Sequence, residues 1–339
     1  MLQIAVVGAT GLVGRELLKL LEEAPFPIGR VVASASARSV GEIIAFGNET
    51  LEIQPLDILH MAGVQLAFFA IGEDVSRTWV PKLAEEGVKV IDKSNAFRLS
   101  EGVPLVVGGV NDDAIRPDSR IVANPNCSTI ELAIPLSVLA KEFGLRRVIV
   151  STYQSVSGAG SDLVDQLKRQ VEHFETELHL NMAELPPDEV AFNVLPRIGP
   201  IADDGFSEEE NKLIMETRKI LGLPDLPMSA TAARVPVYVG HAEAVTVDLN
   251  THASVGDVQR ALQSTPHIRY FPNETKSLRP TPVHSAQPDY DFVDVGRLRA
   301  DPVFDNGFSF FVCANNLRVG AALNAVRIAD YMHKQGYLG

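Results

Sequence analysis

Cysteine is nearly absent: Cys127 and Cys313 are the only two in 339 residues. Two thiols cannot build a disulfide framework, and so few fit a reducing compartment. Tryptophan is rarer, with Trp79 alone. Positive charge is in deficit, 30 Lys and Arg against 43 Asp and Glu, for a formal net charge of -13. No basic block offsets it, which disfavours nucleic acids and anionic membranes as partners. An anionic small molecule would need a local basic pocket against this field. No uncharged apolar run reaches the roughly 18 residues of a membrane span. Met1-Leu2-Gln3-Ile4 enters a strand pattern with no charged leader and no cleavage site. We therefore expect no signal peptide and a cytoplasmic location. We read no metal site, no internal repeat and no low-complexity segment.

What is present is ordinary for a soluble globular protein: 46% hydrophobic and 22% charged residues. The length predicts about two domains. Residues 3 to 7 read as a strand buried on both faces. Gly8-Ala9-Thr10-Gly11-Leu12-Val13-Gly14 follows at once, then a helical stretch from Leu12 to about Glu23. Glycines spaced i, i+3, i+6 between strand and helix allow a tight turn and close approach to a pyrophosphate. The second strand, near Arg30 to Ser34, lacks the acidic residue that would hold a ribose 2′-hydroxyl. It is followed by Ser36-Ala37-Arg38-Ser39, whose hydroxyls and guanidinium suit a 2′-phosphate. The expected cofactor is NADP(H).

Strand-like runs recur at Leu66 to Ala70, Val88 to Asp92, Leu105 to Val107 and Ile121 to Ala123, with a helical pattern from Val75 to Glu86. This alternation predicts a doubly wound, mostly parallel sheet. Asn95-Ala96-Phe97-Arg98 ends one strand; Arg98 reads equally as an anion grip or a solvated surface residue. From about Arg147 the character changes. A strand from Val148 to Tyr153 leads into a small-residue loop, Gln154 to Gly160, and a helix through about Thr176. Residues 180 to 207 are loop-rich, with Pro186, Pro187, Pro196 and Pro200. A helix from Ser207 to Leu221 has a capping-box pattern, Ser207 with Glu210. Ala232 to Val239 and Glu243 to Leu249 alternate like antiparallel strands around Gly240-His241, and a last strand runs near Phe308 to Cys313. A second, α+β domain on a mixed or antiparallel sheet is expected. The last helix, Gly320 to His333, is apolar on one face and should return to the first domain.

Asn124-Pro125-Asn126-Cys127-Ser128-Thr129-Ile130 sits where a strand gives way to a long helical pattern. Main-chain N–H groups and the helix dipole there favour a thiolate, so Cys127 is a candidate nucleophile. A buried packing thiol is the competing reading. Cys313, in an apolar strand, reads as core, as does Trp79. Pro135 falls inside the helix after Cys127 and should kink it.

Taken in order, these motifs resemble the aspartate-semialdehyde dehydrogenase family over nearly the full length. The resemblance also rests on Thr152-Tyr153-Gln154, Arg234-Val235-Pro236-Val237 with Gly240-His241, and Asn316-Leu317-Arg318 before Gly320-Ala321-Ala322. It implies a Rossmann-type α/β domain at 1–127 plus 318–339, and an α+β substrate-binding and dimerisation domain at 128–317. It implies reduction of aspartyl phosphate by NADPH to the semialdehyde and phosphate, through a cysteine thioester, in a homodimer. By the same resemblance, Cys127 is the nucleophile, His241 the acid/base, and Gln154 orients the acyl group. Arg234 clamps the substrate carboxylate; Arg98, Asn126 and Lys212 bind phosphate; Glu209 meets the substrate ammonium. Glu209 and Lys212 also read as a solvated helix face. The cofactor residues implied are Gly8, Thr10, Gly11, Leu12, Val13, Ser36, Arg38 and Ser39, with Asn316 near the nicotinamide. The other seven histidines read as structural or surface residues.

The chain departs from the family pattern at Gly108-Gly109 (usually Pro-Glu), Ala242 (usually Ser), Val319 (usually Lys) and Glu131 (commonly Gln). These departures fit a divergent branch such as the Usg-type paralogues, whose substrate or activity differs, or a non-catalytic NADP-binding paralogue. N-acetyl-glutamyl-phosphate reductase shares the chemistry, but its Gly-Cys-Tyr-Pro context differs from Asn126-Cys127-Ser128.

Overall fold

The computed structural model describes residues 1–57, 60–176, 188–273 and 279–338. It forms two units, Met1–Asn126 with Arg318–Gly339, and Cys127–Leu317.

The first unit opens with β1 (Leu2–Val7), whose side chains alternate between two cores. Leu2, Ile4 and Val6 enter one apolar cluster, Ala5 and Val7 another. A strand buried on both faces must lie inside a layered sheet. Then come α1 (Leu12–Glu22), β2 (Ile28–Ser34), the hairpin β3 (Ile43–Phe46) and β4 (Glu49–Glu52), β5 (Leu66–Phe69), α2 (Glu73–Glu85), β6 (Lys89–Asp92) and β7 (Ile121–Ala123). The sheet order is β2-β1-β5-β6-β7, all parallel. Leu17 and Leu18 of α1 pack in the first cluster, together with Ala325 and Ile328 near the chain's end. Val80 and Leu83 of α2 pack in the second, with Trp79 against its edge. The sheet is doubly wound, as expected. Two details differ from the sequence reading. The hairpin β3–β4 went unread, and Leu105–Val107 is not a strand but makes a single bridge, Leu105 to Ala123.

The second unit begins with α3 (Cys127–Phe143), which continues through the buried Pro135 without interruption. There follow β8 (Leu145–Gln154), α4 (Ser161–Thr176), α5 (Glu208–Leu221), β9 (Met228–Arg234), β10 (His241–Leu249), α6 (Val255–Gln263), β11 (Ile268–Phe271), α7 (Pro282–Ser285), β12 (Val293–Asp301) and β13 (Gly307–Ala314). The mixed sheet runs β11-β12-β13-β10-β8-β9. Ser207 caps α5 through a complete capping box with Glu210. The two segments read as antiparallel strands around Gly240-His241 do not pair with each other. β8 lies between β9 and β10, parallel to β9 and antiparallel to β10, and residues 235–240 are loop. Alternation reports which face a residue occupies and is silent about the partner strand. Cys313 is fully buried in β13. His179, Pro186 and Pro187 lie outside the described residues.

The chain then returns to the first unit. A π-helical turn (Arg318–Ala322) leads into α8 (Leu323–Lys334), which contacts α1. Arg318 is paired with Glu16 of α1 at 2.7 Å. Asn324 is fully buried; its amide donates to Val106 O and Asn124 Oδ1 and accepts from Gly108 N.

Candidate active site

Parity along the strands of the second unit sets which side chains share a face. Gln154 ends β8, Arg234 ends β9 and His241 begins β10. All three are buried, on the face where α3 packs. Cys127 is the first residue of α3. Its Sγ lies 3.1 Å from His241 Nε2. Two residues 114 apart in sequence thus form a hydrogen-bonded pair.

The other ring nitrogen is also engaged. His241 Nδ1 accepts from the Ser155 main-chain N–H at 3.0 Å, and Ser155 Oγ lies 3.1 Å away. Ser155 and Ser157 belong to the loop after β8, where Val156–Ala159 forms a 3-10 turn. Asn316 Oδ1 accepts from Gly240 N at 2.9 Å and from both serine hydroxyls at 3.2 Å. Gly240 has φ +94, and a Cβ there would sit 2.8 Å from Pro282 O. Only glycine turns the chain into β10 at this point. Burial, then the Arg234 charge, pushes His241 down to about 3. The imidazole is neutral across the physiological range.

Arg234 is 7% exposed and donates from Nη1 to Ser155 O at 2.7 Å. Burial presses its guanidinium below the ordinary value, while the charges of Cys127 and Glu209 push it back up. It keeps its proton at any working pH. The Gln154 amide donates to Ser128 Oγ at 3.2 Å and Thr152 Oγ1 at 3.3 Å, which fixes its orientation. Glu209 is buried, so the solvated-face reading does not hold for it. Lys212 is half-buried and pairs with Glu208 at 2.6 Å, and with Glu209 at 4.0 Å.

In the first unit, Arg98 is buried, which removes the surface alternative. It donates to Asn124 O at 3.1 Å and Lys93 O at 2.6 Å. Asn126 is half-buried. Gly8 and Gly14 meet the demands of a dinucleotide turn. Gly8 has φ +89, and Cβ atoms at the two positions would lie 2.3 Å from Ala70 O and 2.0 Å from Gly8 O. Gly11 caps α1 with no side-chain bond, so the first-turn N–H groups face outward for an anion. This glycine cradle and bare helix start fit a cofactor pyrophosphate. Thr10, Leu12 and Val13 line the same turn. Ser36 and Arg38 are exposed and Ser39 half-buried, in a turn closed by Ser39 N to Ser36 O at 2.9 Å.

Sequence reasoning did not single out Ser155, Ser157 or Gly158. A Cβ at Gly158 would lie 3.1 Å from His241 Cε1, 3.2 Å from Nε2 and 3.3 Å from Arg234 Nη1. The signal was the small-residue run from Ser155 to Gly160, a loop in which main chain replaces side chain against the site. Two of the departures fall in the first unit. Gly108 has no room for a side chain, since its Cβ would meet Arg327 Cβ at 2.6 Å, and Val319 is fully buried in the π-helical turn. The other two lie beside the pair: Ala242 follows His241 on β10, and Glu131 lies on α3.

The model of the semialdehyde dehydrogenase NAD binding domain matches residues 3–117. That of the semialdehyde dehydrogenase dimerisation domain matches residues 136–319. Aspartate-semialdehyde dehydrogenase of Aquifex aeolicus is 39% identical over 99% of both chains. That of Bacillus subtilis is 38% identical over 98% of both. Among solved structures, aspartate semialdehyde dehydrogenase II of Vibrio cholerae complexed with ASA superposes with a TM-score of 0.91 at 37% identity, covering 98% of each chain. A probable aspartate-semialdehyde dehydrogenase from Pseudomonas aeruginosa gives 0.89 at 30% identity, covering 99% of each. With its paired Cys127 and His241 and its glycine cradle, this chain belongs to the aspartate-semialdehyde dehydrogenase family.

Proposed function

We propose that the chain reduces aspartyl phosphate to aspartate semialdehyde with NADPH, releasing phosphate, as a step of amino-acid biosynthesis. The observation that carries this reading is the 3.1 Å Cys127–His241 pair beside the buried Arg234 and Gln154. A thiolate at Cys127 adds to the acyl carbon, and the bond to the phosphate oxygen breaks with its electron pair on phosphate. The thioester divides one hard step into two. Bound NADPH supplies the hydride. Arg234 offers a planar fork to the substrate carboxylate, and Glu209 a charge for its ammonium. Arg98, Asn126 and Lys212 are the proposed phosphate ligands. Asn316 is proposed near the nicotinamide.

The preference for NADP(H) rests on Arg38 with Ser36 and Ser39, and on the absence of an acidic residue at the end of β2. Arg38→Ala should raise the KM for NADPH by about tenfold or more and leave kcat nearly unchanged, because a charge-assisted contact to a 2′-phosphate is lost. An unchanged KM refutes that contact.

The proposed assembly is a homodimer. On the sheet face opposite α3, β8 exposes Ile149 at 45% and Tyr153 at 39%, although β8 is an interior strand. A second copy would cover them. The proposed location is the cytoplasm. The reading is tested by assaying purified protein with aspartate semialdehyde, phosphate and NADP. NADPH formation is expected, and none under conditions where a relative works contradicts the reading.

A further inference from the structure

Glu210 serves two elements with one carboxylate. Its Oε2 accepts from the Ser207 main-chain N–H at 2.6 Å and closes the capping box at the start of α5. Its Oε1 accepts from the Ala232 main-chain N–H at 2.9 Å. Ala232 lies on β9, the edge strand of the mixed sheet, so a side chain stands there in place of a further strand. Two residues on, Arg234 exchanges main-chain bonds with Leu195, both at 2.9 Å. Capping alone does not demand glutamate. Ser254 and Asp257 build a complete box at the start of α6 with a side chain one methylene shorter, and Asp257 gives its other oxygen to Arg260 of the same helix. The extra reach of Glu210 goes to β9.

The residues beside this tie are the ones assigned to the substrate. Glu209 precedes Glu210 on α5, and Arg234 follows Ala232 on β9. Adjacent helix positions lie about 100° apart, so Glu209 and Glu210 face different ways. Both are buried, and the Glu209 charge acts on the Arg234 guanidinium. We infer that Glu210 is a positioning residue for substrate selection: by bonding Ser207 and Ala232 with its two oxygens, it sets the spacing between Glu209, the partner of the substrate ammonium, and Arg234, the partner of the substrate carboxylate. The inference rests on the function proposed above. The ammonium and carboxylate of an α-amino acid share one carbon, so their two partners cannot drift apart without losing a contact. Productive placement tolerates about 0.5 Å.

The test compares aspartate semialdehyde with succinate semialdehyde, which lacks the ammonium, each with phosphate and NADP. Native protein should prefer the former. Glu210→Asp keeps the box, as Asp257 does in α6, and gives up Ala232. The ratio of the two kcat/KM values should fall about tenfold or more, through KM for aspartate semialdehyde, with KM for NADP unchanged. A shift of Lys212 weakens both substrates alike, so the ratio isolates the ammonium contact. Glu210→Gln keeps the length but has one acceptor for two N–H groups, and should lower the ratio too. Ser207→Ala removes the hydroxyl half of the box and leaves both Glu210 bonds. It should lower the melting temperature and keep the native ratio. In Glu210→Asp the Ala232 amide hydrogen should exchange with solvent about tenfold faster than in native protein. A native ratio in either folded Glu210 variant, native exchange at Ala232, equal loss for both substrates, or a fallen ratio in Ser207→Ala overturns the inference, as does native protein indifferent to the ammonium. Native protein that does not turn over aspartate semialdehyde refutes the proposed function, and the inference with it.

Discussion

At the scale of single residues, the site is built from contacts that no sequence window contains. Cys127 meets His241 across 114 positions, and Asn316 meets Ser155 across 161. Motif order located the ends of this network because nucleophile, arginine and histidine each sit in a recognisable string. The middle was not legible, because Ser155 acts through its main chain and any residue but proline carries that N–H. Gly158 shows the same limit. Its missing side chain leaves the space occupied by the edges of His241 and Arg234. Gly158→Ala places a methyl 3.1 to 3.3 Å from both heads, tighter than a relaxed contact. It should lower kcat/KM by roughly tenfold to a hundredfold through misplacement of the pair, with little change in melting temperature. Full activity would show that the loop has slack.

At the scale of elements, α3 and β10 carry an unusual burden. Glu131 lies one turn after Cys127 on α3, and Glu243 two residues after His241 on β10. Both are fully buried, and among the described residues neither oxygen of either carboxyl has a hydrogen-bond partner. Burial pushes both carboxyls well above the usual range, and the Glu243 charge adds to the rise at Glu131. A carboxyl raised in this way keeps its proton in the folded state. Its contribution to stability is complete below the unfolded value of about 4.3 and drains away as pH rises towards the folded value. Glu131→Gln removes one of the two ionisations and keeps the shape. It should stabilise the protein by about 1–3 kcal/mol at pH 8 and by less at pH 4. Denaturant titrations at both pH values check this, and a gain independent of pH contradicts it. The periodic elements were largely legible. β1, α1 and α5 follow their patterns to within a residue or two because turn glycines and a capping box mark their starts. The order β10-β8-β9 was not, since strand partners are chosen by packing rather than by local pattern.

At the scale of the molecule, two units divide the chemistry. In the first, a glycine cradle at the end of a parallel strand fits a dinucleotide; in the second, α3 carries the thiol and the mixed sheet the imidazole and the arginine. The mixed sheet leaves one face open around Ile149 and Tyr153. If a second copy covers that face, Ile149→Asp should convert the dimer to monomer in sedimentation equilibrium, because burying an unpaired carboxylate in an interface costs several kcal/mol. An unchanged mass would place the interface elsewhere. The central claim is that Cys127 carries the acyl group. Its most direct measurement is the intact mass of the protein after mixing with aspartyl phosphate in the absence of reduced cofactor. We predict an adduct of one aspartyl group per chain in the native protein, discharged on adding NADPH and missing in Cys127→Ala. An adduct that persists in Cys127→Ala, or none in native protein that turns over, would contradict the account.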